Sequence, residues 1–116
     1  MRMRTYLVAL LFVAAVGCST DPIEPLPLQL TVEANRTTAA TGDTVTFVTN
    51  AQGGSLVGVE IDYGDNTTDT FATGGARTAR ITFRHAYQQR ATFTVRAVVT
   101  DALAGTKEAT IAVTVN

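Results

Sequence analysis

Ile61-Asp62-Tyr63-Gly64-Asp65-Asn66 is the stretch that decides the fold. Ile61 and Tyr63 stand two apart, and Val57 and Val59 extend the same spacing backwards, with Gly58, Glu60 and Asp62 between them. A period of two puts the apolar side chains on one face and the polar ones on the other, the signature of a half-buried strand. The strand is then stopped. Gly64 can take a positive φ, Asp65 can accept hydrogen bonds from amides of its own turn, and Asn is among the few non-glycine residues at ease in the left-handed region.

The same alternation recurs outward from this point. Leu28, Leu30 and Val32 alternate with Gln29, Thr31 and Glu33, and Val45 and Phe47 with Thr44 and Thr46. Ile81 and Phe83 follow the pattern, then Phe93, Val95, Ala97 and Val99, then Ile111, Val113 and Val115. Thr67 to Phe71 reads as one more short edge strand. Gly42-Asp43, Gly53-Gly54, Asp65-Asn66, Gly74-Gly75 and Gly105 read as turns between the runs. Threonine supplies 20 of the 99 residues from Cys18 onward, and a β-branched polar residue suits the wet face of a strand. No stretch carries a competing helical period. About seven short strands punctuated this way predict an all-β, antiparallel sandwich of the immunoglobulin-like kind.

The N-terminus follows other rules. Arg2 and Arg4 precede an uninterrupted apolar run, Tyr6 to Val16, and small residues lead to the chain's one cysteine. This is the three-part pattern of a secretory signal, and it is too short to span a bilayer, which takes about 20 residues. Ala15-Val16-Gly17-Cys18 resembles a bacterial lipobox. The resemblance implies that residues 1–17 are a lipoprotein signal peptide and that Cys18 becomes a lipidated N-terminus. Several acyl chains would hold it on the membrane for good. Ser19 resembles the pattern that sorts lipoproteins to the outer membrane of a Gram-negative cell. Residues 18–27 hold all three prolines, Pro22, Pro25 and Pro27, so they read as a short, stiff tether. Nine such residues reach roughly 28 Å at about 3.1 Å each. Residues 28–116 are then the single domain.

The spacing of the motifs identifies a family. Asp62-Tyr63-Gly64-Asp65 is followed about twenty residues later by His85-Ala86-Tyr87, then by Phe93-Thr94-Val95 running to Asp101. Together with Thr41-Gly42-Asp43-Thr44-Val45-Thr46-Phe47, these resemble the core signature of a PKD domain over roughly residues 36–116. Ile61 stands where the family usually has Trp, so this core is smaller there. Asn66 replaces the family's Gly, and Arg90-Ala91 occupies the place of the Gly before the long strand. The resemblance implies a tyrosine corner at Tyr87, with its hydroxyl bonded back to nearby backbone, and a non-catalytic module that makes protein–protein or protein–carbohydrate contacts.

Composition narrows the function further. Loss of Arg2 and Arg4 with the leader leaves seven basic residues against ten acidic ones, a net charge of −3. Arg77, Arg80 and Arg84 are the densest basic group, and they form no patch suited to nucleic acid. Asp62, Asp65 and Asp69 could hold calcium, a cation that takes carboxylate oxygens, but Gly64 falls at what would be a ligand position. His85 is the only histidine and Ser55 the only serine beyond Ser19. That excludes a convincing triad and a convincing zinc set. The chain therefore reads as no enzyme, without cofactor or metal, with His85, Tyr87 and Asp101 as structural members of the motif. The expected molecule is a lipid-anchored contact module of the bacterial cell envelope. Its partners are the membrane, through Cys18, and an envelope protein or surface polymer. The alternative is an accessory domain that presents an envelope protease or glycosidase. The alternation buries nearly all large apolar residues, leaving main-chain edges and the Gly-rich turns at 52–56 and 73–76 as the most available features.

Overall fold

The structure, a computed structural model, describes residues 27–116. The signal peptide, Cys18 and most of the tether lie outside these residues. The described chain is all β: β1 (Gln29–Ala34), β2 (Thr38–Ala39), β3 (Thr44–Asp62), β4 (Thr68–Ala86), β5 (Ala91–Asp101) and β6 (Gly105–Val115).

β3 and β4 form one long antiparallel hairpin joined by residues 63–67, and that hairpin is folded in half. Phe47 and Tyr63 both flank or lie on β3, sixteen residues apart, which is about 53 Å of extended chain. Their ring centroids are nevertheless 5.7 Å apart, so the two halves of β3 face each other across the core. The first half pairs with β1 on one side and with the C-terminal half of β4 on the other. The second half pairs with β5 and with the N-terminal half of β4. β6 joins β5 antiparallel, and β2 joins β6 in parallel. The result is a two-layer sandwich in which two strands pass from layer to layer. The Thr44–Phe47 run and the Val57–Tyr63 run up to Asp62 thus belong to one continuous strand, as do the Thr67–Phe71 region from Thr68 on and the Ile81–Arg84 region. β2 was not anticipated, because two residues carry no period.

The core follows the alternation. Val45, Phe47, Val59, Ile61, Tyr63, Val95, Ala97, Val99 and Val113 are fully or almost fully buried, each of the larger ones worth roughly 1.5–3 kcal/mol. The corner of the folded hairpin breaks the pattern. Register shifts flank Leu56, and an inserted residue exchanges the two faces of a strand. Leu56 is therefore buried, whereas Val57, expected inside, is 52% exposed.

Gly53-Gly54 also differs from its expected role as an open, available turn. Both glycines lie within β3, and Gly53 is buried. Neither has a positive φ. They are needed for space: a Cβ on Gly53 would come within 2.7 Å of Asp101 Oδ1, and one on Gly54 within 2.9 Å of Leu103 Cδ1. Gly74 and Gly75 do take positive φ, at 61° and 86°, and remain exposed at the matching corner of β4.

Candidate functional site

The sandwich has two poles, separated by the length of β5. The first holds most of the sequence motif. β3 ends at Asp62, whose Oδ1 accepts a hydrogen bond from Gly64 N at 2.8 Å. Gly64 has φ 86°, and a Cβ there would meet Thr94 O at 2.6 Å, so both conformation and space require glycine. Asn66 takes φ 71°, and Thr67 O accepts from Tyr63 N at 3.0 Å to close the turn.

Asp65 is the hub. It accepts from Thr67 N at 3.3 Å and from the Thr67 hydroxyl. Its Oδ2 lies 2.6 Å from His85 Nε2, at the end of β4. A carboxylate can only accept, so Nε2 carries the proton of this bond. Burial pushes the Asp65 carboxyl up, but the hydrogen bonds from Thr67 and His85, with attraction to the imidazole, outweigh it and hold the group below the usual carboxylate range.

Aromatic rings surround the pair. The Tyr63 ring stacks on His85, with centroids 4.0 Å apart and planes within 5°. Tyr87 meets His85 edge-on at 4.6 Å and stacks on Phe93 at 4.4 Å. The Tyr87 hydroxyl donates to Tyr63 O at 2.8 Å. The hydroxyl of Tyr87 bonds back to backbone as expected, but to the end of β3, 24 residues upstream, instead of to backbone near it in sequence. Tyr63 OH donates to Asp69 Oδ2 at 2.6 Å. Burial, and for Tyr63 also the bond to Asp69, pushes both phenols well above their ordinary range. They remain neutral hydrogen-bond donors at any physiological pH.

Asp101 is not part of this cluster. It ends β5 at the opposite pole, 3% exposed. Ser55 N donates to its Oδ1 at 2.6 Å, and Leu103 N and Ala104 N donate to Oδ2 at 2.9 Å each. These backbone bonds, Ser55 first, hold its carboxyl below the usual range. The carboxylate ties the corner of β3 to the β5–β6 turn, a role that the sequence spacing did not indicate.

The chemistry available at the first pole is limited. Asp62, Asp65 and Asp69 each bind a different internal donor and do not converge. No group of three His, Cys, Asp or Glu side chains that could hold a metal forms among the described residues. His85 is sandwiched by rings and bonded to Asp65, and the nearest hydroxyl, Thr67, is itself bonded to Asp65. Ser55 lies at the other pole. An open hollow of about 390 Å³ beside the turn is lined by Gly64, Asp65, Asn66, Gln88, Gln89 and Phe93. Of the aromatics among the described residues, Phe71 on β4 is the exposed one, at 53%. It sits on a strand whose outer edge bears no partner among the described residues, because β4 pairs with β3 alone.

A two-layer sandwich with crossing strands, closed by an Asp–His–Tyr cluster, defines an immunoglobulin-like module. The chain belongs to the PKD domain family, whose model matches residues 29–115. Among solved structures it is similar to the PKD domain of an M14-like peptidase from a Thermoplasmatales archaeon, at 23% identity and a TM-score of 0.68, covering 79% of this chain and 96% of that one. It is also similar to a CARDB domain of Pyrococcus furiosus solved in complex with di-metal ions, at 16% identity and a TM-score of 0.60, covering 83% and 97%. A third is the PKD domain of the human VPS10 domain-containing receptor SorCS2, at 22% identity and a TM-score of 0.53, covering 89% and 83%. At such identities the likeness is one of fold. No curated protein matches the chain.

Proposed function

We propose that this PKD-type domain is a lipid-anchored, non-catalytic contact module of a bacterial cell envelope, and that it binds an envelope protein through the open edge of β4. The anchor rests on Ala15-Val16-Gly17-Cys18 and the leader before it. The observation that carries the binding surface is β4 itself: nineteen residues paired on one side only. Such an edge offers unpaired N–H and C=O groups to an added strand, which supplies affinity without special side chains. Thr68 to Ala72 is exposed throughout, and Phe71 adds an apolar anchor.

Crosslinking pull-down from intact cells tests this, with Thr70→Pro and Phe71→Pro as probes. Along an edge strand successive N–H groups point alternately toward the sheet and away from it, so one of the two prolines removes only an outward donor. The variant that keeps the wild-type melting temperature should lose the captured protein. Capture undiminished by either proline would eliminate the β4 edge. Mass spectrometry should find a chain that begins at an acylated Cys18, and Cys18→Ala should release it from membranes. An unmodified Cys18 thiol in the mature protein would rule the anchor out.

A second reading draws on the archaeal relative, a PKD domain of a peptidase. In it, the captured envelope protein is itself a protease or glycosidase that this domain presents. The identity of the pulled-down protein decides between the two.

A further inference from the structure

We propose that the pole opposite the Asp65–His85 cluster rests against the lipid surface, with Leu103 at its tip in the headgroup region; the inference depends on the lipid anchor proposed above. The chain enters the domain at this pole. Gln29 pairs with Gln52 beside the corner of β3, and a Cβ on Gly53 would lie 3.1 Å from Leu28 Cδ1. Nine residues, Cys18 to Leu26, precede the described chain. Even fully extended they reach only about 32 Å. A lipidated Cys18 therefore keeps this pole near the bilayer. The other end, a further eleven-residue strand away, stands about 36 Å higher if the long axis is upright.

The composition of the pole suits that position. Residues 52–57, 73–76 and 102–106 carry no charge. The acid that adjoins them, Asp101, is buried and bonded to three backbone amides. Ala102, Leu103, Ala104 and Gly105 are all exposed, and Leu103, at 73%, is the most exposed large apolar residue described. The charges that directly follow 73–76 and 102–106 along the chain are Arg77 and Lys107, both cationic and suited to anionic headgroups, while the tether carries Asp21 and Glu24. Asp43, Asp62, Asp65 and Arg90 place charge around the other pole instead. One leucine would not hold a free domain on a membrane. A tether that fixes the local concentration in the millimolar range or above needs only a weak contact to set orientation.

The test uses the full mature lipoprotein, extracted from membranes and placed in vesicles of phosphatidylethanolamine and phosphatidylglycerol. With Cys18 acylated, a single introduced thiol takes an environment-sensitive fluorophore, at Thr106→Cys near the tip or at Gln88→Cys on the far pole. Flotation reports the anchor. Quenching by headgroup-region nitroxide lipids reports which pole faces the bilayer. The expected result is flotation, several-fold stronger quenching at position 106 than at 88, and loss of that difference in Leu103→Asp, which still floats. Flotation with equal quenching at both positions, or stronger quenching at 88, overturns the orientation while leaving the anchor intact. A difference that vanishes when each vesicle holds one protein shows a second copy covering Leu103, and also overturns it. A chain that does not float removes the anchor and this inference with it.

Discussion

Each pole of the sandwich is organised by one aspartate, and the two are used in opposite ways. Asp65 is served mainly by side chains, the Thr67 hydroxyl and the His85 imidazole, inside a shell of aromatic rings. Asp101 is served by backbone amides alone, from Ser55, Leu103 and Ala104. The Asp65 cluster binds three segments through groups that water can partly replace. At Asp101, loss of the carboxylate takes the partner from three main-chain donors at once. The motif that dominates the sequence is thus the more forgiving of the two, and the quieter residue holds the corner on which the folded hairpin depends.

The largest expected effect follows. Asp101→Asn keeps one acceptor oxygen but turns an N–H₂ group toward backbone donors. Thermal unfolding should show a fall of more than about 10 °C, given roughly 4–8 °C per kcal/mol for a domain of this size. Gly53→Ala, whose Cβ would press on Asp101 Oδ1 at 2.7 Å, should destabilise the same contact. The double variant should then be less affected than the sum of the two, as expected for groups sharing one interaction. Additive losses would break the link between them. Acid should act in the same direction. Both Asp65 and Asp101 sit below the usual carboxylate range when folded, so the unfolded chain binds more protons in acid. Their contribution is complete above the unfolded value near pH 3.9 and is lost as pH falls through the folded values. Melting temperature should therefore drop steeply below about pH 4, less steeply in Asp101→Asn, and change little between pH 6 and 8 on account of these groups.

At the first pole the losses should be smaller. Tyr87→Phe keeps the stacked rings and removes the bond to Tyr63 O. The net loss of one neutral hydrogen bond costs about 1 kcal/mol, or roughly 4–8 °C by the same scale. A Tyr87→Phe variant less stable than Asp101→Asn would reverse the ranking of the poles.

What the sequence made legible, and what it did not, divides along the same line. The alternation located the core because burial on one face of a strand is a local, periodic fact, from Val45 and Phe47 through Val113 and Val115. The turn at Gly64-Asp65-Asn66 was legible because positive φ restricts residue choice, and both Gly64 and Asn66 have it. The His85–Asp65 pair could be placed in one motif but not measured, since a 2.6 Å contact across twenty residues has no local signature. The pole at Asp101 was read poorly. Gly53-Gly54 is written like a turn but serves as room for a carboxylate, and nothing local separates a glycine chosen for space from one chosen for φ. The bulge that buries Leu56 and exposes Val57 was equally hidden, because it depends on pairing with β4 and β5. Edge availability was half visible: 73–76 is at the surface, whereas 52–56 is packed away, and the open edge of β4 emerged only with the pairing.

The smallest expected effect concerns calcium at the first pole. Three acids within eight residues, Asp62, Asp65 and Asp69, give the turn the composition of a cation site. The geometry assigns each carboxylate elsewhere: Asp62 to Gly64 N, Asp65 to Thr67 and His85, Asp69 to the Tyr63 hydroxyl. A calcium ion takes six to eight oxygens at about 2.3–2.6 Å. Gathering these three would require the Asp65–His85 and Asp69–Tyr63 bonds to break together, and the stacked rings to move with them. Millimolar calcium should accordingly leave the melting temperature of the wild type unchanged, and Asp65→Ala should lower it equally with and without the ion. A calcium-dependent rise of several degrees that Asp65→Ala abolishes would show that the turn reorganises around a cation. The contrast between the poles would then be one between a metal-keyed end and an amide-keyed end, with the internal hydrogen bonds of the first serving as its unloaded form.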